Sequence, residues 1–119
     1  MIKQTIIFLF IFSIQSAFSQ SKNYTGEYNE KKIKGTLSFK NDETVSGSFY
    51  YVSNPSSVYK LSGTNYTDGE VELSIFFKGN QIRFGTLTKT LTDSYIIWEG
   101  SMYADGEVES NYLILKRPR

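Results

Sequence analysis

The chain has 119 residues, with 13 lysines and arginines against 12 acidic residues, and it contains neither cysteine nor histidine. These absences exclude Ser-His-Asp and Cys-His catalysis, thiol redox chemistry and zinc sites made of histidine or thiolate ligands. Without disulfides, a domain of this size depends on its buried core for stability, and its frequent Tyr and Phe residues and one Trp can supply a large part of that core.

The first 19 residues have the three parts of a secretory signal peptide. Lys3 gives a short basic start, a largely apolar run extends from Ile6 to Ile14, and Ala17 and Ser19 are small residues placed as they are before a cleavage site. An uncleaved membrane anchor is the alternative, but it needs about 20 apolar residues. We therefore expect cleavage after Ser19. Because no lipobox cysteine follows, we expect a secreted or periplasmic protein without membrane insertion.

Removal of the signal peptide removes Lys3 and leaves 12 basic and 12 acidic side chains in residues 20–119. Nucleic acids and anionic membranes bind proteins that present a concentrated basic field, so this balance disfavours both partners. The basic cluster from Lys116 to Arg119 stands at the extreme C-terminus, and we expect it to be a solvated tail.

Residues 20–119 show an apolar period of two, which predicts β-strands, and no stretch of helical period. From residue 70 to 77, for example, apolar side chains occupy every second position. Turn signals rich in Asn, Asp and Gly separate such runs. The predicted strands are 23–28, 32–39, 44–52, 57–66, 70–77, 81–88, 94–103 and 107–116. We predict one all-β domain over residues 20–119, an antiparallel eight-stranded up-and-down meander that forms a closed or nearly closed β-barrel.

Glycines inside the predicted strands support closure. Glycine weakens a strand, so its recurrence on the face that carries the apolar residues indicates sharp coiling or the close approach of another chain, and we prefer the first explanation. These glycines are Gly26, Gly35, Gly47, Gly63 and Gly100.

A phrase of twelve residues recurs in similar form, at 61–72 and again at 98–109, with seven identical positions. Each copy reads as the end of one strand, an Asp-Gly turn and the start of the next strand, so a hairpin sequence used twice explains the repeat. A paired calcium site is the alternative, with ligands Asp68, Glu70, Asp105 and Glu107. Calcium requires six to eight oxygens from a folded-back loop, and two carboxylates per turn fall short of that number.

Aromatic residues are the best candidates for a site. The alternation places seven rings on inward faces: Phe39, Phe49, Tyr51, Tyr59, Phe77, Phe84 and Trp98. An eight-stranded barrel is either just filled by its side chains or just able to hold one small ligand, and the sequence leaves both possibilities open. Buried tyrosine hydroxyls favour a ligand slightly, since they need hydrogen-bond partners. We predict a non-enzymatic binding protein for a small apolar or aromatic ligand, lined by Tyr51, Tyr59, Phe84 and Trp98.

The competing prediction is a protein–protein interaction module with a solid core, such as an inhibitor or an envelope accessory factor. Its surface would use Tyr50, Tyr66, Tyr95 and Tyr103, which fall on outward faces, because exposed tyrosines are favoured at interfaces. An enzyme ranks third, since the pattern places no acid inside the barrel and offers no catalytic pair. We predict no catalytic residue, no metal ligand and no cofactor.

The stretch from Asn23 to Asn29, followed by Gly35 to Phe39 and Val45 to Tyr50, resembles the opening of the avidin and lipocalin superfamily of small ligand-binding barrels. The resemblance covers about a third of residues 20–119 and implies an eight-stranded barrel with a small-molecule ligand. Tyr28 stands where lipocalins have Trp, and their later Thr-Asp-Tyr motif has no convincing counterpart, so no binding residue is carried over. The chain also resembles small exported proteins of Bacteroidetes.

Overall fold

The computed structural model describes residues 20–119, so the predicted signal peptide and its cleavage site lie outside the described residues. Eight strands follow one another in this part of the chain: β1 (Gln20–Tyr28), β2 (Lys31–Phe39), β3 (Thr44–Tyr51), β4 (Asn54–Thr67), β5 (Glu70–Phe77), β6 (Asn80–Leu91), β7 (Tyr95–Tyr103) and β8 (Ser110–Pro118). Each strand pairs antiparallel with the next, and β1 pairs with β8, so the meander closes into a barrel. The predicted fold class is confirmed.

The middle of the barrel is filled by apolar side chains that are almost completely buried. Every strand contributes to this core, because the period-two alternation turns each second side chain inward. The members with 2% exposure or less are Ile33, Leu37, Val45, Phe49, Leu61, Val71, Leu73, Ile75, Leu87, Met102, Leu113 and Leu115. Of the two interiors that the sequence left open, a filled core therefore describes the middle of the barrel.

Inward glycines let neighbouring strands come close where the sheet coils. A Cβ atom at Gly63 would collide with the carbonyl oxygen of Glu72 on β5, and one at Gly100 with the carbonyl oxygen of Thr86 on β6. The same holds for the other predicted glycines, and the structure adds Gly85 to the set. The coiling inferred from the sequence is thus a matter of backbone contact, which only a residue without a side chain permits.

The two copies of the repeated phrase fold alike at the turn and differently after it. Gly69 and Gly106 both have positive φ, as an Asp-Gly turn requires. The first copy is a tight hairpin in which β5 begins at Glu70, whereas the second continues as a loop up to Ser110. The predicted start of the last strand at residue 107 is therefore wrong, because Tyr103 pairs with Ser110 and the residues between them have no strand partner.

The C-terminal basic cluster is also placed differently from the prediction of a solvated tail. Strand β8 extends to Pro118, and Arg117 pairs with Ile96 of β7 on the inner face. These residues belong to the barrel wall because they pair with β7, and β8 closes the barrel by pairing with β1. Within residues 20–119, no helix is long and apolar enough to cross a membrane.

Candidate functional site

The structure does not bring the four predicted ligand-binding residues together. Tyr51 and Tyr59 meet at one end of the barrel, the end that carries the loop from 104 to 109. Trp98 lies at the opposite end, where it stacks on Phe39. Phe84 is on the outer surface and 46% exposed. Two separate groups of aromatic rings therefore lie at the two ends of the barrel.

Phe84 is the one inward aromatic prediction that is wrong. It pairs with Ser74 and Tyr103 on the outer face, while its neighbour Gly85 pairs with the buried residues Leu73 and Met102. The large ring of Phe84 suggested an inward position for that residue. Gly85 has no side chain, so its inward position in the alternation of β6 was not recognised. The other strand glycines all face inward, so that rule applied to Gly85 would have given the correct phase.

One end of the barrel is closed by packed aromatic rings, which we call the tyrosine end (Tyr28, Phe49, Tyr51, Tyr59 and Phe77). Tyr59 stacks between Phe49 and Phe77, with ring centroids 5.0 and 4.6 Å away. Tyr51 meets Tyr59 edge to face at 5.7 Å. Such offset and edge-on pairs stabilise a fold beyond the area they bury. The packed rings therefore fill this end of the barrel.

Polar groups complete the tyrosine end. Asn111 donates a hydrogen bond from Nδ2 to the hydroxyl of Tyr28 at 3.1 Å. Burial raises the pKa of Tyr28, and this hydrogen bond partly offsets the rise. Burial also raises the pKa of Tyr51 to about 12, with smaller contributions from the neighbouring Tyr59 and Tyr28. Nη2 of Arg83 on β6 lies 3.7 Å from Oε2 of Glu107, in the loop between β7 and β8. This salt bridge connects that loop to the tyrosine end.

The opposite end holds a cavity of about 550 Å³. We call it the basic mouth and define it by six of its lining residues: Lys22, Tyr24, Phe39, Lys89, Trp98 and Arg117. Tyr24 and Trp98 are 4% and 5% exposed and form its floor, and Phe39 stacks on Trp98 with centroids 5.4 Å apart. A concave volume of this size is in the range of small-molecule sites, and charged and amide side chains, including Asn41 and Asn65, line it beside the rings.

Three cationic side chains line the basic mouth. Lys89 places Nζ 5.9 Å from the ring centre of Trp98, and Arg117 places Cζ 5.9 Å from that of Tyr24. Lys22 enters from the first strand, where it pairs with the inward Leu37. One carboxylate, that of Asp68, lines the same cavity. The mouth thus combines aromatic surface with an excess of positive charge.

Sequence reasoning missed the basic mouth although its signal was present. Lys89 lies two residues after the buried Leu87, and Arg117 lies two residues after the buried Leu115, so strict alternation puts both cations inside. The predicted strands 23–28, 81–88 and 107–116 each end one residue short of Lys22, Lys89 or Arg117, so the alternation was not applied to these side chains. A cation on the apolar phase near the end of a strand is the pattern that identifies a charged barrel mouth.

The four outward tyrosines do not form one cluster. Tyr50, Tyr66 and Tyr95 lie on three different strands, and Tyr103 is at the other end of β7 from Tyr95. Tyr103 instead pairs directly with Phe84, and both rings line an outer groove of about 830 Å³. On the outer surface, the exposed pair Phe84 and Tyr103 is the feature that most resembles the interaction surface predicted from the four tyrosines.

Among residues 20–119, no three His, Cys, Asp or Glu side chains converge as metal ligands would. None of the buried side chains in this part of the chain is charged. The alternative of a paired calcium site in the repeat finds no support in this geometry, since the two Asp-Gly turns lie at opposite ends of the barrel.

Comparison of the chain with family models, with curated proteins and with solved structures gave no match.

Proposed function

We propose that this protein is an exported, non-enzymatic binding protein that holds a small apolar or aromatic ligand in the basic mouth of its barrel. The observation that carries the proposal is the cavity of about 550 Å³ above the rings of Tyr24, Phe39 and Trp98. Rings in fixed positions offer a flat apolar surface at little entropic cost.

The filled middle of the barrel decides where such a ligand would sit. Phe49, Ile75 and Met102 are fully buried among their neighbours, so a ligand entering the centre would have to displace packed core. The tyrosine end is occupied by its own stacked rings. Of the originally predicted residues, Trp98 keeps its proposed role in the ligand site, while Tyr51 and Tyr59 stabilise the other end.

The architecture agrees with this proposal at a general level. A closed antiparallel barrel of eight strands fits a lipocalin-like fold, and barrels of this size bind small molecules at or inside their open end. Export rests on the N-terminal sequence alone.

Native mass spectrometry of the protein purified from the organism that produces it tests the proposal. We expect a discrete adduct that is released on unfolding. Trp98→Ala should lose the adduct while remaining folded, and Phe84→Ala, which removes an outer ring, should keep it. An adduct retained by Trp98→Ala, or a bare wild-type mass together with unchanged Trp98 fluorescence in small-molecule extracts, would contradict the proposal.

A protein–protein interaction module is the second candidate, and the pair Phe84 and Tyr103 favours it. Both rings are more than 40% exposed and lie opposite each other on β6 and β7. Aromatic residues are enriched at the centres of interfaces. If this function holds, Tyr103→Ala should abolish co-purification of a protein partner, and Trp98→Ala should leave it unchanged.

A further inference from the structure

The basic mouth has a net positive charge, although residues 20–119 taken together have 12 basic and 12 acidic side chains. Lys22, Lys89 and Arg117 face the single carboxylate of Asp68 across one cavity. Lys89 and Arg117 are half-buried and Lys22 is exposed, so the mouth presents positive charge to whatever enters it. A ligand that supplies negative charge would be attracted to this end of the barrel.

Arg117 gives a second, independent indication. Its Nη1 donates to the backbone carbonyl oxygen of Pro118 at 3.2 Å, whereas its Nε is buried without a hydrogen-bond partner in residues 20–119. Buried donors are normally paired, so each exception calls for an explanation. The buried Nε is not itself open to the cavity. The guanidinium nevertheless lines the cavity, where its planar set of donors is well shaped for an oxyanion.

The aromatic floor fixes the rest of the ligand. Lys89 and Arg117 each lie beside a ring, so the cations and the apolar surface are adjacent rather than in separate parts of the cavity. Low exposure of Tyr24 and Trp98 keeps water from the floor, which strengthens charge interactions at its edge. A ligand that fits both features has a planar apolar body and an acidic group at one end.

We propose that the basic mouth binds small aromatic acids, with the ring system on Trp98 and Tyr24 and the carboxylate or sulfonate between Lys22, Lys89 and Arg117. This inference rests on the proposed ligand-binding function and narrows its ligand class. It excludes neutral apolar molecules as the preferred cargo.

Two fluorescent probes of nearly the same shape separate charge from apolar contact. 8-Anilinonaphthalene-1-sulfonate carries an anionic group, and N-phenyl-1-naphthylamine is its neutral counterpart. Trp98 is the single tryptophan of the chain, so energy transfer from it reports binding near the mouth. We expect the sulfonate to bind about tenfold more tightly than the amine, as charge-assisted hydrogen bonds allow, and salt to reduce this preference.

Charge variants complete the test. Lys89→Gln combined with Arg117→Gln should remove the tenfold preference without loss of fold, because glutamine keeps a polar side chain at each position, and Lys22→Gln should reduce the preference. Lys60→Gln is the matched control, since this exposed lysine is absent from the mouth lining. Equal affinity of the wild type for both probes would overturn the inference and leave the proposed function standing. Binding of neither probe near Trp98 would overturn both.

Discussion

Tyr51 and Trp98 were predicted to share one site, and each depends on a different set of neighbours. Tyr51 lies at the tyrosine end, where partial burial and two further tyrosines disfavour its ionised form. Trp98 lies in the basic mouth, where Lys89 is close to its ring. At the scale of single residues, the surroundings rather than the residue type decide which aromatic is structural and which is available to a ligand.

Replacement of Tyr51 by Phe should reduce the loss of folding stability at alkaline pH. The pKa of Tyr51 is raised to about 12 in the folded protein, above the value of about 10 for an unfolded chain. Between these values the unfolded state has lost a proton that the folded state keeps, so stability that is present below pH 10 falls as the pH rises towards 12. Urea unfolding from pH 9 to pH 12 should show a smaller fall for Tyr51→Phe than for the wild type. Identical slopes would contradict this assignment.

Tyr59→Ala should be strongly destabilising. The ring is stacked between Phe49 and Phe77, and its removal leaves both without their partner. We expect a loss of roughly 3 kcal/mol in the free energy of unfolding, as for other large aromatic residues. Tyr66→Ala is a suitable control because Tyr66 is exposed. Equal losses in the two variants, measured by urea unfolding, would show that the stack contributes little.

The repeated phrase demonstrates how an element depends on its partner. Val71 and Val108 occupy equivalent positions after their Asp-Gly turns, yet Val71 is 2% exposed and Val108 is 94% exposed. Val71 pairs with the buried Leu87 of β6, whereas the pairing of β7 with β8 begins only at Ser110. The shared sequence therefore specifies a turn, and the register of the following strand is set by the residues it meets.

Aspartate substitutions at the two equivalent valines should have opposite outcomes. Val71→Asp buries an unpaired carboxylate and should reduce the free energy of unfolding by roughly 4 kcal/mol or more. Val108→Asp changes a solvent-exposed loop and should stay within about 0.5 kcal/mol of the wild type. Thermal and urea unfolding of both variants provide the measurement. Similar effects at the two positions would mean that the loop packs on the barrel.

Closure is the property of the whole molecule on which the other features depend. β1 pairs with β2 along its full length but with β8 only from Thr25 to Tyr28. The seam that closes the barrel is therefore the shorter of the two that β1 forms. At this seam, a Cβ atom on Gly26 would collide with the carbonyl oxygen of Ile114. Closure also brings Lys22 of β1 and Arg117 of β8 to the same mouth.

Gly26→Val should open the barrel. The added side chain has no room at the seam, and separation of β1 from β8 would expose two strand edges that favour association between chains. We expect lower thermal stability and oligomers in size-exclusion chromatography. Glu27→Val is the control, since this neighbouring side chain is exposed. A monomeric Gly26→Val with the stability of the wild type would show that the seam can adjust.

Local sequence predicted the strands and most inward positions, because alternation and turn residues act over a few neighbours. It failed at Phe84, where a small inward residue hid the phase, and at residues 107–109, where a familiar phrase has no strand partner. It did not group the site residues correctly, because it treated the inward rings as one set, whereas Tyr51 and Trp98 lie at opposite ends of the barrel.

The sequence by itself determined an all-β meander with aromatic interior faces and without histidine or thiol chemistry, since these follow from composition and from a period that each strand carries alone. Only the tertiary structure decided that the middle is filled, that one end is plugged by tyrosines and that three distant cations share the other end. The physical reason is closure: pairing of β1 with β8 brings residues of the first and last strands to one mouth, and no local pattern encodes that meeting.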